Sequence, residues 1–90
     1  MYIAKVIGTV VATKKDAQLV GKKLLIISLF NGKDYSGNKI EVAIDSVGAG
    51  IGEEVLAVRG SSARKISDNA DSPIDMAIVG IIDTMEINNR

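Results

Sequence analysis

Apolar and polar positions fall into short stretches of strand length, divided by turn residues. The first, "MYIAKVIGTVVAT" (1–13), is rich in β-branched residues and has no helix cap, with Gly8 inside it marking a bulge or bend. "DAQLVGKK" (16–23) is a polar connection with Gly21 as its turn residue, and "LLIISLF" (24–30) is an apolar run of strand length. "NGKDYSGN" (31–38) is turn chemistry throughout: Asn31-Gly32 suits a type I′ turn and Gly37-Asn38 gives another bend. "KIEVAID" (39–45) alternates, with Ile40, Val42 and Ile44 on one side and Lys39, Glu41 and Asp45 with Ala43 on the other, the pattern of a half-buried strand. "EEVLAVRG" (53–60) is a second strand of that kind. Ser61-Ser62-Ala63-Arg64-Lys65 can start a short helix with Ser61 or Ser62 as N-cap. "ISDNADSP" (66–73) is a polar loop closed by the only proline, and "IDMAIVGIIDTMEI" (74–87) is the last and longest strand, interrupted by Gly80.

Five strands and at most one short helix predict an all-β fold: a small five-stranded, OB-like barrel, since closure removes exposed strand edges. At 90 residues, with no repeat and no linker, the whole of 1–90 reads as one domain. So short a chain buries a marginal fraction of its surface, yet 47% of its residues are hydrophobic. Part of that apolar material has a destination if it faces a neighbouring subunit.

Composition removes several kinds of chemistry. The chain contains no cysteine and no histidine, so it has no disulfide framework, no thiolate metal site, and neither the commonest metal ligand nor the commonest general base. Charge is balanced at 11 basic against 11 acidic residues, and the pI is about 6.2. Aromatics amount to 3%: Tyr2, Phe30 and Tyr35. Nucleic-acid binders are normally basic and stack bases on aromatic platforms. A single-stranded nucleic-acid-binding module of the OB type is therefore the alternative function rather than the first, despite some basic density at Lys5, Lys14, Lys15, Lys22 and Lys23. The apolar runs, such as Leu24 to Ile27 and Ala77 to Ile82, fall far short of the roughly 20 residues of a membrane span. The start Met1-Tyr2-Ile3-Ala4-Lys5 lacks the form of a signal peptide, which predicts a cytoplasmic location.

Three glycines in Gly48-Ala49-Gly50-Ile51-Gly52 suggest a phosphate cradle, but the details fail. A dinucleotide fingerprint spaces its third glycine one residue further on and is followed by a helix; here "EEVLAV" follows, which is β-rich. Two readings remain open: a plain tight loop, or a connection whose backbone is approached closely by neighbouring chains. Gly60-Ser61-Ser62-Ala63-Arg64 is not a nucleophile elbow, and no histidine is available as its base. Asp45, Glu53, Glu54, Asp75 and Asp83 read as solvated or turn-capping carboxylates rather than a catalytic pair. Arg59 and Arg64 flank the Gly-Ser-Ser loop, either as exposed charges or as partners for carboxylates of another chain. No catalytic, cofactor-binding or metal-ligating residue is assigned.

Four segments together carry a resemblance: "AKVIGTVVATKK", "LVGKKLLI", "VAIDSVGAGIGEEVLAVRGSSAR" and "PIDMAIVGIID". The chain resembles the bacterial microcompartment vertex proteins of the ethanolamine-utilisation and carboxysome type, from about Met1 to Asp83. The Asp-x-Val-Gly-Ala-Gly-x-Gly-Glu block followed by Gly-Ser-Ser-Ala-Arg is the specific part. The resemblance implies a non-enzymatic, OB-like protein that forms a homopentamer, needs no cofactor, and caps the vertices of a polyhedral shell otherwise tiled by hexameric shell proteins. It implies a cytoplasmic place in that shell, with neither nucleic acid nor membrane as partner. Five subunits rather than six is implied by the resemblance alone. The candidates for a subunit interface or pore loop are then Ser46, Val47, Gly48, Ala49, Gly50, Ile51, Gly52 and Glu53, with Arg59, Gly60, Ser61, Ser62 and Arg64.

Overall fold

A computed structural model describes residues 1–13, 17–35, 37, 39–60, 63 and 74–87. Its strands are β1 (Tyr2–Val10), β2 (Leu24–Leu29), β3 (Ile40–Asp45), β4 (Glu54–Arg59) and β5 (Met76–Ile81), with a short 3-10 turn at Ala17–Leu19 in the connection after β1. They close into a barrel in the order β1-β2-β3-β5-β4. The pairs are antiparallel except for β3 with β5, which run parallel with Ile44 opposite Ala77 and Asp45 opposite Ile78. The five strands expected from the sequence are the five observed, and the all-β barrel stands.

The ends of two strands differ from expectation, for one reason: a strand lasts only as long as its partner. The pairing of β1 with β2 ends at Val10 opposite Leu24, where β2 begins, so Val11 to Thr13 leave the sheet. The last strand, expected over 74–87, spans only Met76–Ile81. The Ile82 amide still donates to the Glu54 carbonyl at 2.8 Å, but Glu54 is where β4 starts. Gly8 does mark a bulge, because the β1–β2 register slips between Val6 and Gly8, leaving Ile7 exposed. Gly80 sits opposite Leu56, next to a second slip between Leu56 and Ala57. The turn after β2 is closed by a side chain: Asn31 Oδ1 accepts from the Lys33 and Asp34 amides, both at 2.8 Å. Of the helix expected after Gly60, only Ala63 falls among the described residues; it is helical and buried.

Inward-facing side chains fill the barrel: Ala4 and Val6 from β1, Leu25, Ile27 and Leu29 from β2, Ala43 from β3, Val55 and Ala57 from β4, and Met76 and Ile78 from β5. Ala49, from the connection between β3 and β4, joins them. Burial of each large aliphatic side chain contributes about 1.5–3 kcal/mol.

In β3 the buried half is not the one its alternation suggests. Leu25 pairs with Ala43 and Ile27 with Glu41. Cross-strand partners share a face, so the inward course of β2 forces Ala43 and Glu41 to the inner side of β3. Ile40, Val42 and Ile44 consequently point out of the barrel. Ile44 is covered, but Ile40 is 55% exposed and Val42 41% exposed. Register, once set by the stronger apolar strand, decides the face of every residue on its neighbour.

Candidate interface loop and barrel mouth

The connection from Asp45 to Glu54 is latched at nearly every turn. Asp45 ends β3 with its side chain 1% exposed and closes the first bend. Its Oδ1 accepts from the Val47 amide at 3.0 Å and its Oδ2 from the Ala49 amide at 2.9 Å, an Asx-type closure that pulls Ala49 into the core. Lys23 adds a second strap: its Nζ donates to the Ala49 carbonyl at 2.9 Å and lies 3.4 Å from Asp45 Oδ2. Ser46 Oγ donates to the Ile78 carbonyl at 2.6 Å, tying the bend to β5. At the far side, Glu53 Oε1 accepts from the Gly50 amide at 2.7 Å, and the Gly52 amide donates to the Val6 carbonyl at 2.8 Å. Ala49 is fully buried, whereas Val47, Gly48, Ile51, Gly52 and Glu53 are exposed, Ile51 at 67%.

The three glycines have different reasons to be there. Gly48 and Gly52 hold φ of 81° and 92°, left-handed backbone that side chains rarely adopt. Gly50 has no such requirement. A Cβ there would meet only Glu53 Oε1, at 3.4 Å, the end of a flexible side chain. Among the described residues, nothing accounts for glycine at position 50.

Arg59 and Gly60 lie at the other end of β4, about 17 Å away for a strand of this length. The loop and the arginine are therefore not one site. Arg59 Nη2 donates to Glu41 Oε1 at 2.7 Å, its Nη1 is 3.8 Å from Asp75 Oδ1, and its guanidinium stacks 5.5 Å from the centre of the Tyr2 ring. The hydrogen bond to Glu41, opposed in part by burial, leads the influences that hold its pKa above the ordinary arginine value. Arg59, Glu41 and Tyr2, with Leu29, Phe30, Asn31, Gly37 and Lys39, line a recess of about 610 Å³ at the barrel mouth. The Gly60 amide donates to the Asp75 carbonyl at 2.7 Å. Ser61, Ser62 and Arg64 lie outside the described residues.

Asp45 and Lys23 were not singled out by the sequence for this loop. Asp two residues before a glycine-dense turn is the signal that could have found the first; turn capping was one of the two readings open for it. Tyr35 is a further unanticipated support: its hydroxyl donates to Glu54 Oε2 at 2.6 Å and its ring packs 5.1 Å from Phe30. Burial first, then the hydrogen bond and charge of Glu54, hold this phenol well above its ordinary pKa.

Comparison with known proteins gives a consistent picture. The family profile described as "Ethanolamine utilisation protein EutN/carboxysome" matches residues 1–83. The carboxysome shell vertex protein CcmL of Synechocystis sp. is 49% identical over 97% of this chain and 87% of its own length. The pentameric microcompartment shell protein GrpN from Rhodospirillum rubrum superposes with a TM-score of 0.85 at 46% identity, over 98% of this chain and 100% of that one. The structure of Gloeobacter violaceus CcmL superposes with a TM-score of 0.88 at 42% identity, over 100% of this chain and 93% of that one.

Proposed function

The chain belongs to the ethanolamine-utilisation EutN/carboxysome family, and from that premise we propose that it is a structural shell protein, not an enzyme, whose cyclic pentamer caps the vertices of a bacterial microcompartment. The single observation that carries this reading is the match along nearly the whole chain to a pentameric shell protein with the same barrel. The pentamer sits in the cytoplasm, in a shell whose flat facets are built by hexameric proteins, and its edges meet them. No described feature favours the nucleic-acid alternative, since Phe30 and Tyr35 pack on each other and Tyr2 lies under Arg59.

Within that assembly, residues 46–53 face the ring axis or a seam between copies, and the second group, Arg59, Gly60, Ser61, Ser62 and Arg64, lies at a subunit contact. Support for the loop comes from Gly50, whose lack of a side chain is unexplained by the described residues of its own chain. The straps from Asp45, Lys23 and Glu53 hold the loop in one shape, which suits a surface that must repeat identically around an axis. Native mass spectrometry of the purified 9.5 kDa chain tests the assembly. A closed ring of five gives a species of about 47.5 kDa; a monomer at micromolar concentration sinks the reading. Gly50→Trp is expected to reduce the pentamer while leaving the barrel folded, and an undisturbed ring would remove the loop from the axis or seam.

A further inference from the structure

β2 is apolar on both faces. Leu25, Ile27 and Leu29 enter the core, while Leu24, Ile26 and Ser28 take the other side, where Leu24 and Ser28 are already buried within the chain and Ile26 is half-buried. Beside Ile26 on that outer surface stands Val42, its cross-strand partner, and next along β3 stands Ile40. The most β-branched row of β3 thus faces away from the core, with Ile40 and Val42 exposed. An outward row of branched aliphatics on a small barrel is the mark of a covered surface rather than a solvated one.

A second apolar surface lies elsewhere on the barrel. Ile3 of β1 pairs with Leu56 of β4, which pairs in turn with Gly80 of β5. Ile3, Leu56, Ile81, Ile82 and Met85, with Asp83 and Thr84, line a shallow groove of about 470 Å³. In the closed order, β4 pairs with neither β2 nor β3; β1 intervenes on one side and β5 on the other. One surface is an exposed aliphatic row and the other a groove, and they lie on different parts of the same molecule.

We infer that these two surfaces meet: the Ile26–Ile40–Val42 row of one copy seats in the Ile3–Leu56–Ile82 groove of the next, and this head-to-tail contact is the seam of the ring. The inference rests on the pentamer reading above and supplies the occupant of both surfaces, a second copy of this chain. Two unlike patches cannot form a two-fold contact with themselves; they form a heterologous one, which repeats into a ring when its rotation closes. That geometry is what a pentamer requires, and a solved relative described as pentameric shares this barrel.

Val42→Glu and Leu56→Glu each put a charge into the seam from one side. Each is expected to convert the five-copy species to monomer at micromolar concentration, with the circular dichroism of the barrel retained. A cross-linking pair guards against variants that fail to fold. The chain has no cysteine, so Ile40→Cys and Leu56→Cys introduce single thiols. With a short bis-maleimide, the double variant is expected to give a covalent ladder from two to five copies, while either single variant gives none. Ladders from a single variant would mean that like surfaces meet, and would overturn the head-to-tail contact. A five-copy mass in Val42→Glu, or no ladder in the double variant despite a five-copy mass, would place the seam elsewhere and leave the pentamer standing. A wild-type chain that is not five copies would instead sink the pentamer reading itself.

Discussion

Asp45→Ala removes the carboxylate that closes the first bend of the interface loop, and its effect can be worked from the contacts. Three interactions go. The Ala49 amide loses its acceptor at 2.9 Å while the residue itself stays fully buried. A buried N–H left unsatisfied costs about 1–3 kcal/mol. The Val47 amide loses its acceptor at 3.0 Å, but this residue is exposed and water replaces the bond, so the net loss is at most about 1 kcal/mol. The Lys23 ion pair at 3.4 Å involves a side chain that is 53% exposed and is screened; it adds between about 0 and 1 kcal/mol. Lys23 keeps its bond to the Ala49 carbonyl. The sum is about 1–5 kcal/mol, a large part of the roughly 5–15 kcal/mol that holds a domain together. Urea unfolding followed by circular dichroism measures it, with wild type and variant at one chain concentration, because self-association links stability to concentration. Asn at this position is the informative companion. Its amide keeps one acceptor oxygen where the carboxylate offers two, so about half of the loss is expected. A loss below about 0.5 kcal/mol for Asp45→Ala would refute the claim that this side chain latches the loop.

The three loop glycines separate by backbone. Gly48→Ala and Gly52→Ala each force a Cβ into left-handed φ and are expected to destabilise the chain by about 1–2 kcal/mol, whereas Gly50→Ala stays within about 0.5 kcal/mol in the same unfolding experiment. Equal losses at all three positions would show that φ is not the reason for the first two. Tyr35 links stability to alkaline pH. Its folded pKa is raised, so its contribution is complete below the unfolded value of about 10 and declines as pH rises beyond it, where the unfolded chain ionises and the folded one does not. Tyr35→Phe is expected to flatten this part of the stability–pH curve relative to wild type; parallel curves from pH 8 to 11 would refute the assignment.

Much of the fold was legible because strands announce themselves locally. β-branched runs bounded by Gly, Asn and Asp identified all five, and Gly8 marked its bulge. Where strands stop was not legible: β5 ends at Ile81, one residue before Ile82 meets Glu54 at the very start of β4, a fact about another segment. The candidate loop was legible as a glycine-dense connection, while Lys23, 26 residues from Ala49 along the chain, could not be tied to it.

By itself, the sequence determined the number of strands, the barrel class, the absence of histidine and cysteine chemistry, and an excess of apolar residues over what one small core can use. It determined these because propensity, turn chemistry and composition are properties of neighbouring residues. Only the tertiary structure decided which face of β3 is buried. Alternation specifies that two faces differ but not which one meets the core; the pairing of Leu25 with Ala43 settles that and turns Ile40 and Val42 outward. Only the tertiary structure divided the three glycines into two that the backbone demands and one that it does not, and carried Arg59 to the opposite end of β4 from the loop, beside Glu41. Register and closure are agreements between distant segments, so no single segment contains them.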